Sequence, residues 1–144
     1  MNDELVLEFC LLRMIITQAL LDSLTAQAKA SPRLRMNHDL RNSPEDQSQR
    51  MLNAIEPGSP EQIHRHKYTS ETVVCLRGRM VEEFYDDLER MCTDAIELTP
   101  GGPVMAVNIP AGQWHSIRAL ESGSVVLACK DGKWEPLGEE DILR

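Results

Sequence analysis

From residue 49 onward the chain is a succession of short, largely apolar runs cut by turn residues. "RMLNAI", "QIHRH", "TVVCLRG", "RMVEEFY", "DAIELT", "VMAVNI", "HSIRAL" and "SVVLACK" are separated by Pro-Gly, Gly, Asp-Asp, Pro-Gly-Gly, Pro-Ala-Gly and Ser-Gly. Alternation with a period of two lets a strand bury one face, and glycine and proline mark where the chain reverses. About eight such strands at close spacing predict a β-sandwich or barrel. A βαβ sheet is excluded because no amphipathic helices lie between them.

The chain before residue 49 reads differently. Leu20, Leu21, Leu24 and Ala28 share one face of a helix that Thr17 can cap and Ser31-Pro32 ends. "RLRMN" then alternates as a short edge strand would, and Ser43-Pro44-Glu45-Asp46 has the form of a single capped helical turn. Three segments are expected: a helical and edge-strand extension over residues 1–48, a barrel over 49–131, and an acidic, loosely held tail over 132–144. The extension should pack outside the barrel, covering an exposed sheet edge, and join a symmetric homodimer. Residues 1–16 have no clear pattern, and Met14 is an alternative start to Met1 just ahead of the helix.

Composition narrows the function classes. A chain of 144 residues, 42% hydrophobic and 26% charged, has the size and balance of one globular domain. The run from Leu5 to Leu24 is broken by Glu8, Arg13, Gln18 and Asp22, so it predicts no membrane span. It also lacks the basic start and small-residue cleavage site of a secretory signal, and the expected location is the cytoplasm. A net charge of −8 and only two residues each of Trp, Tyr and Phe argue against a nucleic-acid partner. Lys29, Arg33, Arg35 and Arg41 face Asp39 alone in residues 29–41, whereas Glu82, Glu83, Asp86 and Asp87 cluster near a turn and read as a solvated acidic face. Cys10, Cys75, Cys92 and Cys129 form no C-x-x-C pair and read as reduced, buried thiols.

The chemistry concentrates in "HRHKYTSE" at residues 64–71. Residues two apart in a strand project to one face, so His64 and His66 point together while Arg65 points away. Paired imidazoles begin a metal site, because neutral ring nitrogens bind first-row transition metals. Glu71 opens the next apolar strand and can swing a carboxylate oxygen into the same volume. His115, in "PAGQWHSI" at the head of another strand, and His38, in the basic segment, are the two histidines left to complete a ligand set.

"GSPEQIHRHKYTSETVVCLRG", from Gly58 to Gly78, resembles the first cupin motif: glycine, five residues, H-x-H, four residues, glutamate, six residues, glycine. "PAGQWH", from Pro110 to His115, resembles the core of the second motif, P-x-G-x-x-H. With "SPRLRMN" and "QRMLNAIEPG" ahead of them, these segments resemble the WbuC-type cupin metalloproteins over roughly residues 16–130. Val104 and Ala119 stand where the second motif has glycine and asparagine, and neither is a ligand position. The resemblance implies a mainly all-β fold, the cupin double-stranded β-helix or jelly-roll barrel, with a short N-terminal helical segment. It implies His64, His66, Glu71 and His115 as ligands of one divalent transition metal, Fe, Mn, Ni, Co or Zn. His38, outside both motifs, is assigned to the surface or to a supporting position behind the ligands.

Four protein ligands leave about two positions of an octahedral ion open for water or substrate, which favours function over scaffolding. Arg33, Arg35 and Arg50 can bind a phosphate or carboxylate through paired donors, or can bridge surface acids. Asn37 and Asn53 can bond sugar hydroxyls or satisfy turns and strand edges, and Tyr68 can gate the pocket from the loop between His66 and Glu71. Cys75 has the parity of the barrel interior, and Trp114, opposite in parity to His115, suits packing or the rim. The resemblance implies a role in bacterial surface-polysaccharide (O-antigen) metabolism, and the first expectation is a metal-dependent isomerase or epimerase acting on, or a protein binding, a sugar or nucleotide-sugar intermediate. An Fe(II) dioxygenase and a non-catalytic small-molecule binder remain the alternatives.

Overall fold

The computed structural model describes residues 13–60, 62–86 and 91–143. Helix α1, Gln18–Ala30, starts where Thr17 Oγ1 accepts the Leu20 N–H at 3.1 Å, and it ends at Ser31. Strands β1 (Arg35–Asp39), β2 (Ser48–Ile55), β3 (Ile63–His64), β4 (Glu71–Arg77), β5 (Met80–Tyr85), β6 (Cys92–Leu98), β7 (Ala106–Ile109), β8 (Trp114–Ala119) and β9 (Val125–Asp131) follow. A short 3-10 turn, Glu139–Asp141, then leads to β10, Ile142–Leu143. Each strand predicted after residue 49 is present, although "QIHRH" pairs only over Ile63–His64.

The described strands form two five-stranded sheets, in the orders β1-β2-β9-β4-β7 and β10-β3-β8-β5-β6, and every pairing is antiparallel. Apart from the hairpins β1–β2 and β5–β6, successive strands cross from one sheet to the other, which is the jelly roll. Between the sheets Ile55, Val73, Cys75, Met80, Leu98, Ile109, Ala119 and Val126 pack as one buried core. The outer face of the first sheet carries a second core. There Leu21, Leu24 and Ala28 of α1 cover Leu52, Ala54 and Val125. The helix thus packs outside the barrel as its apolar face predicts.

Arg77 fastens that helix. Its guanidinium donates to Gly123 O at 2.8 Å, Gln18 Oε1 at 3.1 Å, Asp22 Oδ1 at 2.7 Å and Thr25 Oγ1 at 3.1 Å. The next residue, Gly78, closes the β4–β5 turn at φ +84°, where a Cβ would stand 2.7 Å from Ser124 Cα. Only glycine fits both that backbone and that approach.

Four sequence expectations change. Ser43-Pro44-Glu45-Asp46 is a turn, closed by Asp46 N–H to Ser43 O at 3.1 Å, and not a helical turn. The tail is held: Ile142 pairs with His64 in β10, and Arg65 Nε donates to Asp141 Oδ1 at 3.1 Å. Cys92 is exposed on the edge strand β6, whereas Cys75 is buried and Cys129 half-buried; all three are free thiols. Glu82, read as solvated, is buried, because alternation along β5 turns it inward with Met80 and Phe84. Cys10 and Asp87 lie outside the described residues, as do residues 1–12 of the segment that carried no clear pattern. No helix among the described residues is long and apolar enough to cross a membrane.

Candidate metal centre

His64, on β3, pairs directly with His115 on β8, so the two imidazoles stand side by side on the inner face of the second sheet. Their ring centroids are 4.4 Å apart. His66 follows two residues after His64 beyond the end of β3, its ring 5.1 Å from that of His64 and 5.7 Å from that of His115. Glu71 opens β4 in the facing sheet and brings Oε2 to 3.1 Å from His66 Nε2 and 3.6 Å from His115 Nε2. One ligand atom from each of the four lies within 4.8 Å of all the others. Opposite ligands of an ion bound at about 2.1 Å stand about 4.2 Å apart, so a small contraction encloses one.

Hydrogen bonds at the far side of the rings prepare two of them. His64 Nδ1 donates to Gln62 O at 3.0 Å and His115 Nδ1 to Gln113 O at 2.8 Å. A neutral imidazole that donates from Nδ1 presents the Nε2 lone pair, here toward the cluster. Burial, aided by the nearby His115, pulls His64 down to about 4, which keeps its ring neutral at physiological pH. His115 Nε2 is buried without a hydrogen-bond partner, a donor atom awaiting an acceptor of its lone pair. His66 is arranged the other way: Lys130 Nζ sits 3.1 Å from its Nδ1, and its Nε2 faces Glu71. Burial alone would raise Glu71, but the His115 and His66 imidazoles that face it outweigh this and hold the carboxyl below the usual carboxylate range. Three nitrogen donors and one ionised oxygen donor, one of them orphaned, fit a divalent transition metal.

A cavity of about 530 Å³ opens on His66 and Glu71 and is lined further by Arg33, Asn37, Asn53 and Lys130. Asn53 Oδ1 is buried there without a partner, and burial lowers the Lys130 ammonium. A second cavity of about 280 Å³ reaches His64 between Arg33 and Arg35. Leu34, between these arginines, has φ +54°, a left-handed conformation that side chains resist. It is locked by Glu56 N–H to Leu34 O at 2.9 Å, and Ser59 Oγ bonds Arg33 O at 2.7 Å and Arg35 Nε at 2.8 Å.

The structure therefore brings Arg33, Arg35, Asn37 and Asn53 to cavities beside the cluster. Two other sequence-assigned residues lie elsewhere. Arg50 pairs with Cys129 on the outward side of β2, where its guanidinium donates to Leu40 O, Ser48 O and Asp46 Oδ2. Tyr68 is 90% exposed and borders a neighbouring hollow rather than these two cavities. Trp114 is buried under Arg65, whose guanidinium carbon lies 4.5 Å from the ring centroid. His38 contacts Met14 Sδ at 3.2 Å and is not among the converging residues. Lys130 and Glu82 were missed. The inward parity of each was readable, but no motif marks either residue.

The chain is similar in structure to KdgF from Halomonas sp., with 16% identity, a TM-score of 0.56, and coverage of 73% of this chain and 84% of that one. Bacillus subtilis oxalate decarboxylase, whose Mn(II) centres have been characterised, is similar at 20% identity and a TM-score of 0.52, covering 76% of this chain but only 27% of that one. The Schizosaccharomyces pombe Cnp3 cupin domain is similar at 14% identity and a TM-score of 0.52, covering 69% of this chain and 65% of that one. These likenesses establish the cupin fold. No curated protein matches the sequence. The model of a family described as a domain of unknown function, DUF6016, matches residues 16–97, a span from the helix through β6 that includes His64, His66 and Glu71. With more than half of its length matched, the chain belongs to the DUF6016 family and carries it on a cupin jelly roll.

Proposed function

We propose that the protein is a metal-dependent cupin in which His64, His66, Glu71 and His115 hold one divalent ion, and that it binds a small anionic, hydroxylated molecule beside that ion. The observation that carries this is the convergence of four donor atoms from both sheets, with His115 Nε2 left unpartnered among them. A bound ion supplies Lewis-acid polarisation of a ligand oxygen. The protein's own residues do the rest. Arg33 and Lys130 attract the anionic group, Asn37 and Asn53 bond hydroxyls, and the walls of a cavity of about 530 Å³ limit the ligand to small-molecule size. The resemblance of Gly58–Gly78 and Pro110–His115 to WbuC-type proteins supports a sugar or nucleotide-sugar intermediate of bacterial surface-polysaccharide synthesis as that molecule.

Elemental analysis and Co(II) titration of the purified chain test the ion. One equivalent is expected in the wild type, with nearly complete loss in His64→Ala and His115→Ala and weakened binding in Glu71→Gln. Full occupancy in both histidine variants refutes the site. Calorimetric titration of the loaded protein with UDP-glucose and with glucose 6-phosphate tests the ligand class, and Arg33→Ala should weaken whichever binds.

A further inference from the structure

Glu82 occupies the inward face of β5 between Met80 and Phe84 and is 1% exposed. Its neighbours in register are Ile117 on β8 and Ile96 on β6. Neither of its carboxylate oxygens has a hydrogen-bond partner. Desolvation of a carboxyl without compensation is strongly unfavourable, so the group belongs with something that arrives after folding.

Strand geometry shows where. One inward position further along β5, Phe84 lies opposite His115, which places Glu82 diagonal to His115. Diagonal neighbours on adjacent strands stand about 7–8 Å apart, so Glu82 is well within electrostatic reach of the cluster in a dry interior, although it is not one of the four residues whose ligand atoms converge within 4.8 Å. The charge of Glu71 already acts on Glu82 across that space, and burial and this charge push the carboxyl up to about 9.

The charges of the two features are complementary. A divalent ion held by three neutral imidazoles and the Glu71 carboxylate leaves one positive charge unbalanced inside the barrel. An ionised Glu82 supplies the one negative charge that balances it. Each is the other's missing partner. We propose that Glu82 is the counter-charge of the metal centre, a carboxylate that faces the bound ion from the barrel interior without ligating it and so strengthens its binding. The inference rests on the metal-binding reading above and deepens it. It makes Glu82 a positioning residue for the ion, one that offsets the positive charge left on the ion and its four ligands.

The experiment is Co(II) titration of the metal-free intact chain as wild type, Glu82→Gln, Glu82→Leu and Glu82→Asp, paired with thermal unfolding of each before metal is added. Glutamine and leucine are expected to weaken Co(II) binding roughly 10–100-fold while the visible spectrum of the saturated protein keeps the wild-type ligand field. The metal-free midpoint should hold or rise in both, because an unpartnered carboxyl has been removed. Aspartate, which keeps the charge, should retain most of the affinity. A packing role predicts the opposite pairing, with affinity and metal-free stability falling together, and that result overturns the proposal. So does wild-type affinity in both Glu82→Gln and Glu82→Leu, which leaves the metal site itself standing. Absence of Co(II) binding by the wild type instead removes the metal-binding reading and this proposal with it.

Discussion

Metal-free stability should decline with rising pH for a reason that Glu82→Gln removes. In the folded, metal-free protein, burial reinforced by the charges of Glu71 and Glu83 pushes the Glu82 carboxyl up to about 9, against 4.5 when unperturbed. Between those values the folded chain keeps a proton that the unfolded chain has released. Stability is therefore highest below the unfolded value and falls as pH rises through the window, the reverse of the usual salt-bridged carboxylate. At pH 7 the group is still protonated in the folded state, so the loss is set by the distance from the unfolded value. That distance is about 2.5 pH units at about 1.36 kcal/mol each, giving about 3 kcal/mol. For a chain of this length such a change moves the midpoint by about 10 °C. Urea unfolding of both proteins in chelator at pH 5, 6 and 7 measures it. The stability advantage of Glu82→Gln should widen by about 1.4 kcal/mol per pH unit. A constant gap across that range refutes the reasoning, because groups common to both proteins cancel in the difference.

Two further substitutions probe how the barrel is held together. Gly78→Ala places a Cβ 2.2 Å from Ser124 Oγ and 2.7 Å from Ser124 Cα at a residue with φ +84°, and should destabilise by about 3–5 kcal/mol in denaturant titration; a loss under about 1 kcal/mol would show that the two segments do not approach so closely. Arg77→Ala removes the bonds to Gln18, Asp22, Thr25 and Gly123, and should cost about 2–3 kcal/mol and speed amide exchange in Gln18–Ala30 while leaving metal content unchanged.

The strands and the helix were legible because their signals are local. Thr17, the apolar face of Leu21, Leu24 and Ala28, and Ser31-Pro32 fixed the helix without tertiary information. The turn residues likewise separated the strands. The tail was not legible, since its strand exists only through pairing of Ile142 with His64, residues 78 positions apart in the sequence. Arg50 shows a related limit. As an isolated arginine it suits an anion, but the register of β2 against β9 turns it outward, and the backbone carbonyls of Leu40 and Ser48 absorb its donors. Within the site, parity brought His64 and His66 together, and the resemblance to the two cupin motifs supplied Glu71 and His115. Glu82 was hidden because the acids near it suggested one solvated turn, although Glu82 points inward and Glu83 outward to Arg118 and Tyr85.

That alternation on β5 explains how the site can coexist with a stable fold. Cys75, Met80, Ala119 and Val126 fill the barrel at the level of the β4–β5 turn, and the side chains grow more polar toward Glu71, His64 and His115 at the other end. The apolar end supplies cohesion without help from an ion, while the polar end keeps donor atoms that the protein itself leaves unsatisfied. Glu82 stands between the two regimes. The four donors come from both sheets, His64 and His115 from one and Glu71 from the other. An ion held among them would join the faces of the sandwich, and its binding free energy would add to the stability of their packing, by about 2.7 kcal/mol at one hundred times the dissociation constant. The apolar end thus carries the cohesion of the jelly roll, and the polar end carries the four converging donors, where a bound ion would tie the two sheets together.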